Sequence, residues 1–141
     1  MRVCVIDGRG GGLGRRLILG LLPRIGREHE LVALATNRAA AAAMRHAGGC
    51  RVDVGEGAIA RTVPAVSVIV ASLNVVLPGS MLGEITPGIA EAILRATARK
   101  LLLPVNGCKV EVVGTDAFTL EKLIHYAIDR VQTVLRAAAS I

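Results

Sequence analysis

Between Val3 and Gly14 the chain reads Val-Cys-Val-Ile-Asp-Gly-Arg-Gly-Gly-Gly-Leu-Gly, an apolar run that passes directly into five glycines. This order predicts a strand–turn–helix whose turn binds phosphate. Glycine has no Cβ, so it tolerates positive φ and lets backbone N–H groups approach an anion closely. A helix behind the turn adds unpaired N–H groups and the positive end of its dipole. Arg2 to Ile6 is apolar or β-branched enough for a central parallel strand buried on both faces. Leu13, Leu17, Ile18, Leu21, Leu22 and Ile25 then make a helical stripe over Leu13 to Ile25, with Arg15, Arg16 and Arg24 outside it and Gly26 at its end.

The alternation of strand and helix continues. Leu31 to Ala35 predicts a second strand closing on Thr36-Asn37-Arg38; Arg38 to Ala47 predicts an alanine-rich helix stopped at Gly48-Gly49; Val66 to Ala71 predicts a third buried strand. Arg51 to Ile59, with Gly55 and Gly57, reads as an irregular or short extended crossing. Ser72 to Ile85 reads as loop, with Pro78-Gly79 a turn, and Thr86-Pro87 opens a helix with Thr as N-cap and Pro at the first position. Leu101 to Val105 and Lys109 to Val113 read as strands around Asn106-Gly107-Cys108, which predicts an antiparallel hairpin at the sheet edge. Thr119 caps a long last helix in which Leu120, Leu123, Ile124, Ala127, Ile128, Val131, Val134 and Leu135 form an apolar face wider than one sheet face needs. That width suits either a subunit interface or a helix buried within the subunit.

These elements predict an α/β fold in a single domain of residues 1–141. It is a three-layer Rossmann-like sheet, mostly parallel, with a C-terminal antiparallel hairpin strand and a long C-terminal helix. Ligands of such sheets bind beyond the carboxyl ends of the strands, where the strand order reverses. The glycine loop, Thr36-Asn37-Arg38 and the Ser72 to Glu84 loop are therefore expected to converge on one edge.

Composition narrows the function classes. Hydrophobic residues make up 52% of the chain but Phe and Tyr occur once each and Trp not at all, so the core is built from Val, Ile, Leu and Ala. The net charge of +6 would suit a polyanion, yet the basic residues are scattered and aromatic platforms for stacking bases are missing, which argues against nucleic acid. Cys4, Cys50 and Cys108 are too far apart for a Cys-x-x-Cys pair and odd in number, as expected of reduced cytosolic thiols. Cys4, between Val3 and Val5, reads as a core residue. None of His29, His46 and His125 has a second ligand at metal spacing, so no metal is expected. No signal-peptide pattern opens the sequence, and the uncharged stretch between Arg61 and Glu84 is broken by Pro64, Pro78, Gly79 and several polar residues. The expected location is the cytoplasm, with no membrane partner.

The glycine run does not fit G-x-G-x-x-G, but Gly8, Gly12 and Gly14 fit G-x-x-x-G-x-G, a spacing that resembles the cofactor loop of short-chain dehydrogenases and reductases. Asp7 would repel a pyrophosphate unless its carboxylate accepts loop N–H groups or pairs with Arg9. Where an acid would hold the ribose of NAD, at the end of the second strand, the chain carries Thr36, Asn37 and Arg38, which points to NADP. The catalytic Tyr-x-x-x-Lys of those reductases is absent: Tyr126 is followed four residues on by Arg130. Glu84 is the best candidate for an acid or base, with helix N-terminal capping as its structural alternative.

Ile6-Asp7-Gly8-x-Gly10-Gly11-Gly12-x-Gly14, Thr36-Asn37, Met44-x-x-Ala47-Gly48, Ser80-Met81-Leu82-Gly83-Glu84-Ile85-Thr86-Pro87 and Pro104-x-Asn106-x-Cys108 together resemble a bacterial family, domain of unknown function 3842. The resemblance covers nearly the whole chain, and its most specific part is the block from Ser80 to Pro87. It implies the fold and the ligand edge, and no reaction. The expectation is a small homo-oligomer, assembled through its last helix, in which Asp7, Gly8, Arg9, Gly10, Gly11, Gly12, Leu13 and Gly14 cradle a nucleotide or dinucleotide phosphate. Thr36, Asn37 and Arg38 would meet the ribose or its phosphate, and Ser80, Met81 and Glu84 would face the reactive or specificity end. The alternatives are an oligomeric scaffold or regulatory protein whose glycines only shape a turn, and a minimal NADP-dependent reductase using Glu84.

Overall fold

The computed structural model describes residues 1–105 and 109–139. In chain order they form β1 (Arg2–Asp7), α1 (Gly12–Leu21), β2 (Glu30–Ala35), α2 (Arg38–His46), β3 (Arg51–Val54), α3 (Glu56–Thr62), β4 (Val68–Ser72), α4 (Pro87–Arg95), β5 (Arg99–Leu103) and α5 (Leu120–Ala139). Short 3-10 turns lie at Val63–Ala65 and Leu73–Val76. The strands make one sheet in the order β3-β2-β1-β4-β5, and every neighbouring pair is parallel.

Period-two alternation along the central strands divides the core in two. Val3, Val5, Val68 and Val70 share one cluster with Leu17, Ile18 and Leu21 of α1, Ala40, Ala41 and Met44 of α2, and the inner residues of α5. Cys4, Ile6, Ile69 and Ala71 share the other with Ala58 and Ile59 of α3 and Ile89, Ala90 and Ile93 of α4. With no aromatic side chain in either cluster, the layers approach closely. A Cβ built at Gly20 of α1 would collide with the Ile128 side chain of α5. Arg24 adds an ion pair to Asp129 at 2.9 Å and a hydrogen bond to Gln132 at 2.7 Å.

Several boundaries differ from the sequence reading, each for a physical reason. The first helix ends at Leu21 and not at Ile25, because Pro23 has no N–H to give to the helix. Arg24 and Ile25 instead both donate to the Leu21 carbonyl, at 2.9 and 3.1 Å, in a tight turn before Gly26. The crossing at Arg51 to Ile59 is the edge strand β3 followed by α3, with Arg51 and Asp53 paired at 3.3 Å on the strand. The antiparallel hairpin is not formed. The fifth strand is Arg99–Leu103, parallel to β4, and Lys109 to Val113 contributes only an isolated bridge residue, Val110. Pro104 has no N–H with which to extend the β5 ladder, and beyond Cys108 the Lys109 φ of 60° and the Thr115 hydroxyl donating to the Val112 carbonyl at 2.7 Å are turn geometry and not strand. Asn106, Gly107 and Cys108 lie outside the described residues.

Among the described residues no helix is long and apolar enough to cross a membrane. The uncharged stretch after Arg61 resolves into a 3-10 turn, the fully buried β4, a second 3-10 turn and the loop leading to α4.

Candidate functional site

The strand order reverses between β1 and β4. α1 leaves β1 toward one face, α4 leaves β4 toward the other, and the crevice between lies at the carboxyl ends of both strands. The three segments expected to converge do so there.

Asp7, the last residue of β1, is buried, and its carboxylate is turned under the loop. Oδ1 accepts the Gly8 N–H at 2.8 Å and Oδ2 accepts the Gly14 N–H at 2.7 Å. It therefore ties both ends of the glycine run, and among the described residues it makes no ion pair with Arg9. Burial pushes its pKa up, opposed by the bonds from Gly14 and Gly8 and reinforced by the nearby Glu84.

The glycines fall into two groups. Gly8, Gly11 and Gly14 are demanded by packing: an added Cβ would lie 2.6 Å from Thr36 Oγ1, 2.6 Å from the Ala40 carbonyl oxygen and 2.8 Å from Asp7 Cβ respectively. Gly11 also has φ of 74°. Gly10 and Gly12 differ, since a Cβ there would meet nothing within 4 Å and neither has positive φ. Gly12 begins α1, where Ala would fit and is the better helix former. The N-cap residue of α1 is Gly11, which supplies no side-chain cap, and no acidic residue sits in the first turn. The N–H groups of Gly12 and Leu13 thus open the helix toward the crevice.

Glu84 comes from the loop between β4 and α4. Its Oε1 accepts the Arg9 N–H at 2.9 Å, the Thr36 hydroxyl at 2.6 Å and the Asn37 amide at 2.7 Å. Partial burial raises its pKa, but the bonds from Thr36, Arg9 and Asn37 and the Arg9 charge outweigh this and hold the carboxyl below its usual range. At neutral pH it is an acceptor. Helix capping does not explain it: Thr86 caps α4, accepting the Ile89 N–H at 3.1 Å. Nor does it stand at a far, reactive end of the crevice, because it lies with Thr36 and Asn37 at the end of β2.

Met81 covers the loop, its sulfur 2.7 Å from where a Gly8 Cβ would be, and both Met81 and Leu82 have left-handed φ, at 54° and 57°. Ser80 does not face the crevice; its hydroxyl is buried and donates to the Asn74 carbonyl at 2.5 Å. Asn37 caps α2 through the Ala40 N–H at 2.8 Å and also donates to the Arg9 carbonyl at 3.0 Å, so both ends of its amide brace the site. Arg38 is exposed at the start of α2.

Among the described residues, Cys4, Cys50 and Tyr126 lie away from this crevice. Cys4 is in the core with its thiol pushed up to about 12 by burial, with Cys50 adding to the shift. Tyr126 is on the outer side of α5, its ring edge-on to Phe118 at 5.8 Å. Among the described residues no group of three or more His, Cys, Asp or Glu is placed to hold a metal. A cleft of about 550 Å³, lined by residues that include His29, Cys50 and Arg51, lies at the amino ends of β2 and β3, opposite the loop.

Residues 2–136 match the model of a domain of unknown function (DUF3842). The chain belongs to this family. A comparison with curated proteins gives no match. Among solved structures, a dodecameric FMN-dependent UbiX-like decarboxylase from Escherichia coli O157:H7 aligns with a TM-score of 0.52 at 11% identity, covering 96% of this chain and 94% of that one. At that identity the likeness describes the fold, and it agrees with the Rossmann-like arrangement of this DUF3842 member.

Proposed function

We propose that this DUF3842 protein binds a nucleotide-derived cofactor in the β1/β4 crevice, with the phosphate on Gly10, Gly12 and Leu13 at the start of α1. The observation that carries the reading is the pair Gly10 and Gly12. The fold gives neither a reason to be glycine, whereas a phosphate approaching the backbone N–H groups would. Asp7 does not oppose it, because its carboxylate is already committed to Gly8 and Gly14 beneath the loop. Arg9 and Arg38 are exposed at the rim and supply positive charge. The FMN-dependent fold neighbour makes a flavin nucleotide a candidate beside the dinucleotides. The sequence points to NADP through Arg38; the Glu84 carboxylate beside Thr36 points the other way. Residues 1–141 would act as one domain, in the cytoplasm, where the free thiols of Cys4 and Cys50 stay reduced.

Calorimetric titration of the wild type and Gly12→Ala with NAD, NADP and FMN tests this. Saturable binding of one of them by the wild type, weakened at least about tenfold in the variant at a melting temperature no lower than the wild type's, is the expected result. Binding to none, or equal binding by both proteins, would contradict it.

We further infer a homo-oligomer. The fold neighbour is dodecameric, and the outer side of α5 keeps Leu120 and Tyr126 at 39% and 56% exposure, with Phe118 against the tyrosine ring. An exposed aromatic and aliphatic patch of this kind suits a second copy of the chain.

A further inference from the structure

How the ribose is chosen can be read from Glu84, given the nucleotide reading above. Glu84 belongs to the β4–α4 loop, yet its carboxylate lies against Thr36, the first residue after β2, and Asn37, the N-cap of α2. In dinucleotide-binding sheets an acid carried by β2 itself accepts the ribose hydroxyls at this place. Here β2 ends in Leu34-Ala35 and brings no acid to this end, and one arrives from a residue 48 positions beyond Thr36.

Its geometry suits that task. Three donors from two segments, the Arg9 N–H, the Thr36 hydroxyl and the Asn37 amide, all end on Oε1 and so fix the rotation of the carboxylate, while none of these bonds uses Oε2. A carboxylate oxygen accepts and cannot donate, so the remaining capacity suits the hydroxyls of a vicinal diol. A 2′-phosphate would instead bring a second negative group against a carboxylate that cannot swing away. The cations on hand are Arg9, whose charge already acts on Glu84, and the exposed Arg38.

We propose that Glu84, delivered by the β4–α4 loop to the end of β2, selects an unphosphorylated ribose diol over a 2′-phosphate.

Titrating the wild type and Glu84→Gln with NAD, NADP and FMN tests the assignment. The wild type is expected to bind NAD at least about tenfold more tightly than NADP, the ratio that two like charges in contact across a partly solvated gap produce. Glu84→Gln keeps the side-chain shape and leaves Arg9 and Arg38 in place, so the ratio should shrink or invert. A merely structural Glu84 would weaken both ligands by the same factor, and an unchanged ratio overturns the assignment. So does a wild type that prefers NADP, a comparison that needs no variant and stands even where Glu84→Gln folds poorly. Binding of FMN alone removes this assignment and leaves the nucleotide reading intact; binding of none of the three removes both.

Discussion

Within the loop, neighbouring glycines carry different burdens. Gly11 is held at φ of 74° and the Ala40 backbone fills the place a Cβ would take, so a methyl group there meets both a backbone clash and a left-handed conformation. Gly11→Ala should lose at least about 2 kcal/mol in urea denaturation. Gly12→Ala should hold or slightly gain stability, and equal losses in the two variants would contradict the division between them. The two acids respond to pH in opposite senses. Glu84 is held below its usual range, so its contribution to stability is present above the ordinary glutamate range and lost as the pH falls through the folded value. Asp7 is pushed up, so its contribution is present below the ordinary aspartate range and lost as the pH rises through its raised value. Melting temperatures across an acid series should therefore decline less steeply for Glu84→Gln than for the wild type; parallel curves would show that Glu84 contributes nothing.

Among the elements, α5 shows how a sequence pattern can overstate an interface. Of its eight apolar stripe residues, Ile124, Ala127, Ile128, Val131 and Leu135 are buried in the core shared with α1 and β5, and Leu123 and Val134 pack against that core. Each fully buried aliphatic contributes roughly 1.5–3 kcal/mol, so most of the stripe is accounted for within one subunit. What remains outside is Leu120 and, off the stripe, Tyr126. Tyr126→Glu should leave the melting temperature nearly unchanged and lower the mass seen by light scattering; a wild type that is already monomeric would contradict the assembly. The same scale explains which elements could be read in advance. β1, β2 and the helices capped by Asn37, Thr86 and Thr119 were legible because their pattern and caps are local. β3 and α3 are short, and Gly55 and Gly57 interrupt the apolar periodicity, although the alternation Arg51-Val52-Asp53-Val54 held a faint strand signal. The expected antiparallel edge strand does not form because its signal is local, whereas β5 follows α4 and pairs in parallel with β4.

For the whole molecule, the topology converts a legible loop into a site. The order β3-β2-β1-β4-β5 could be anticipated as a reversal somewhere, and with it the meeting of the glycine run, Thr36-Asn37 and the loop before α4. No local feature of Ser80 to Glu84 says that Ser80 turns inward to the Asn74 carbonyl while Glu84 crosses to Thr36, Asn37 and Arg9, because those choices depend on three loops fitting together. The central claim is that the first turn of α1 receives a phosphate, and backbone amides report this directly. In nitrogen-15 edited spectra recorded during titration with NAD, NADP and FMN, the Gly10, Gly12 and Leu13 amides should shift and saturate with the ligand that binds. Shifts confined to the opposite cleft around His29 and Arg51, or no shift at those three amides with any of the ligands, would contradict the account.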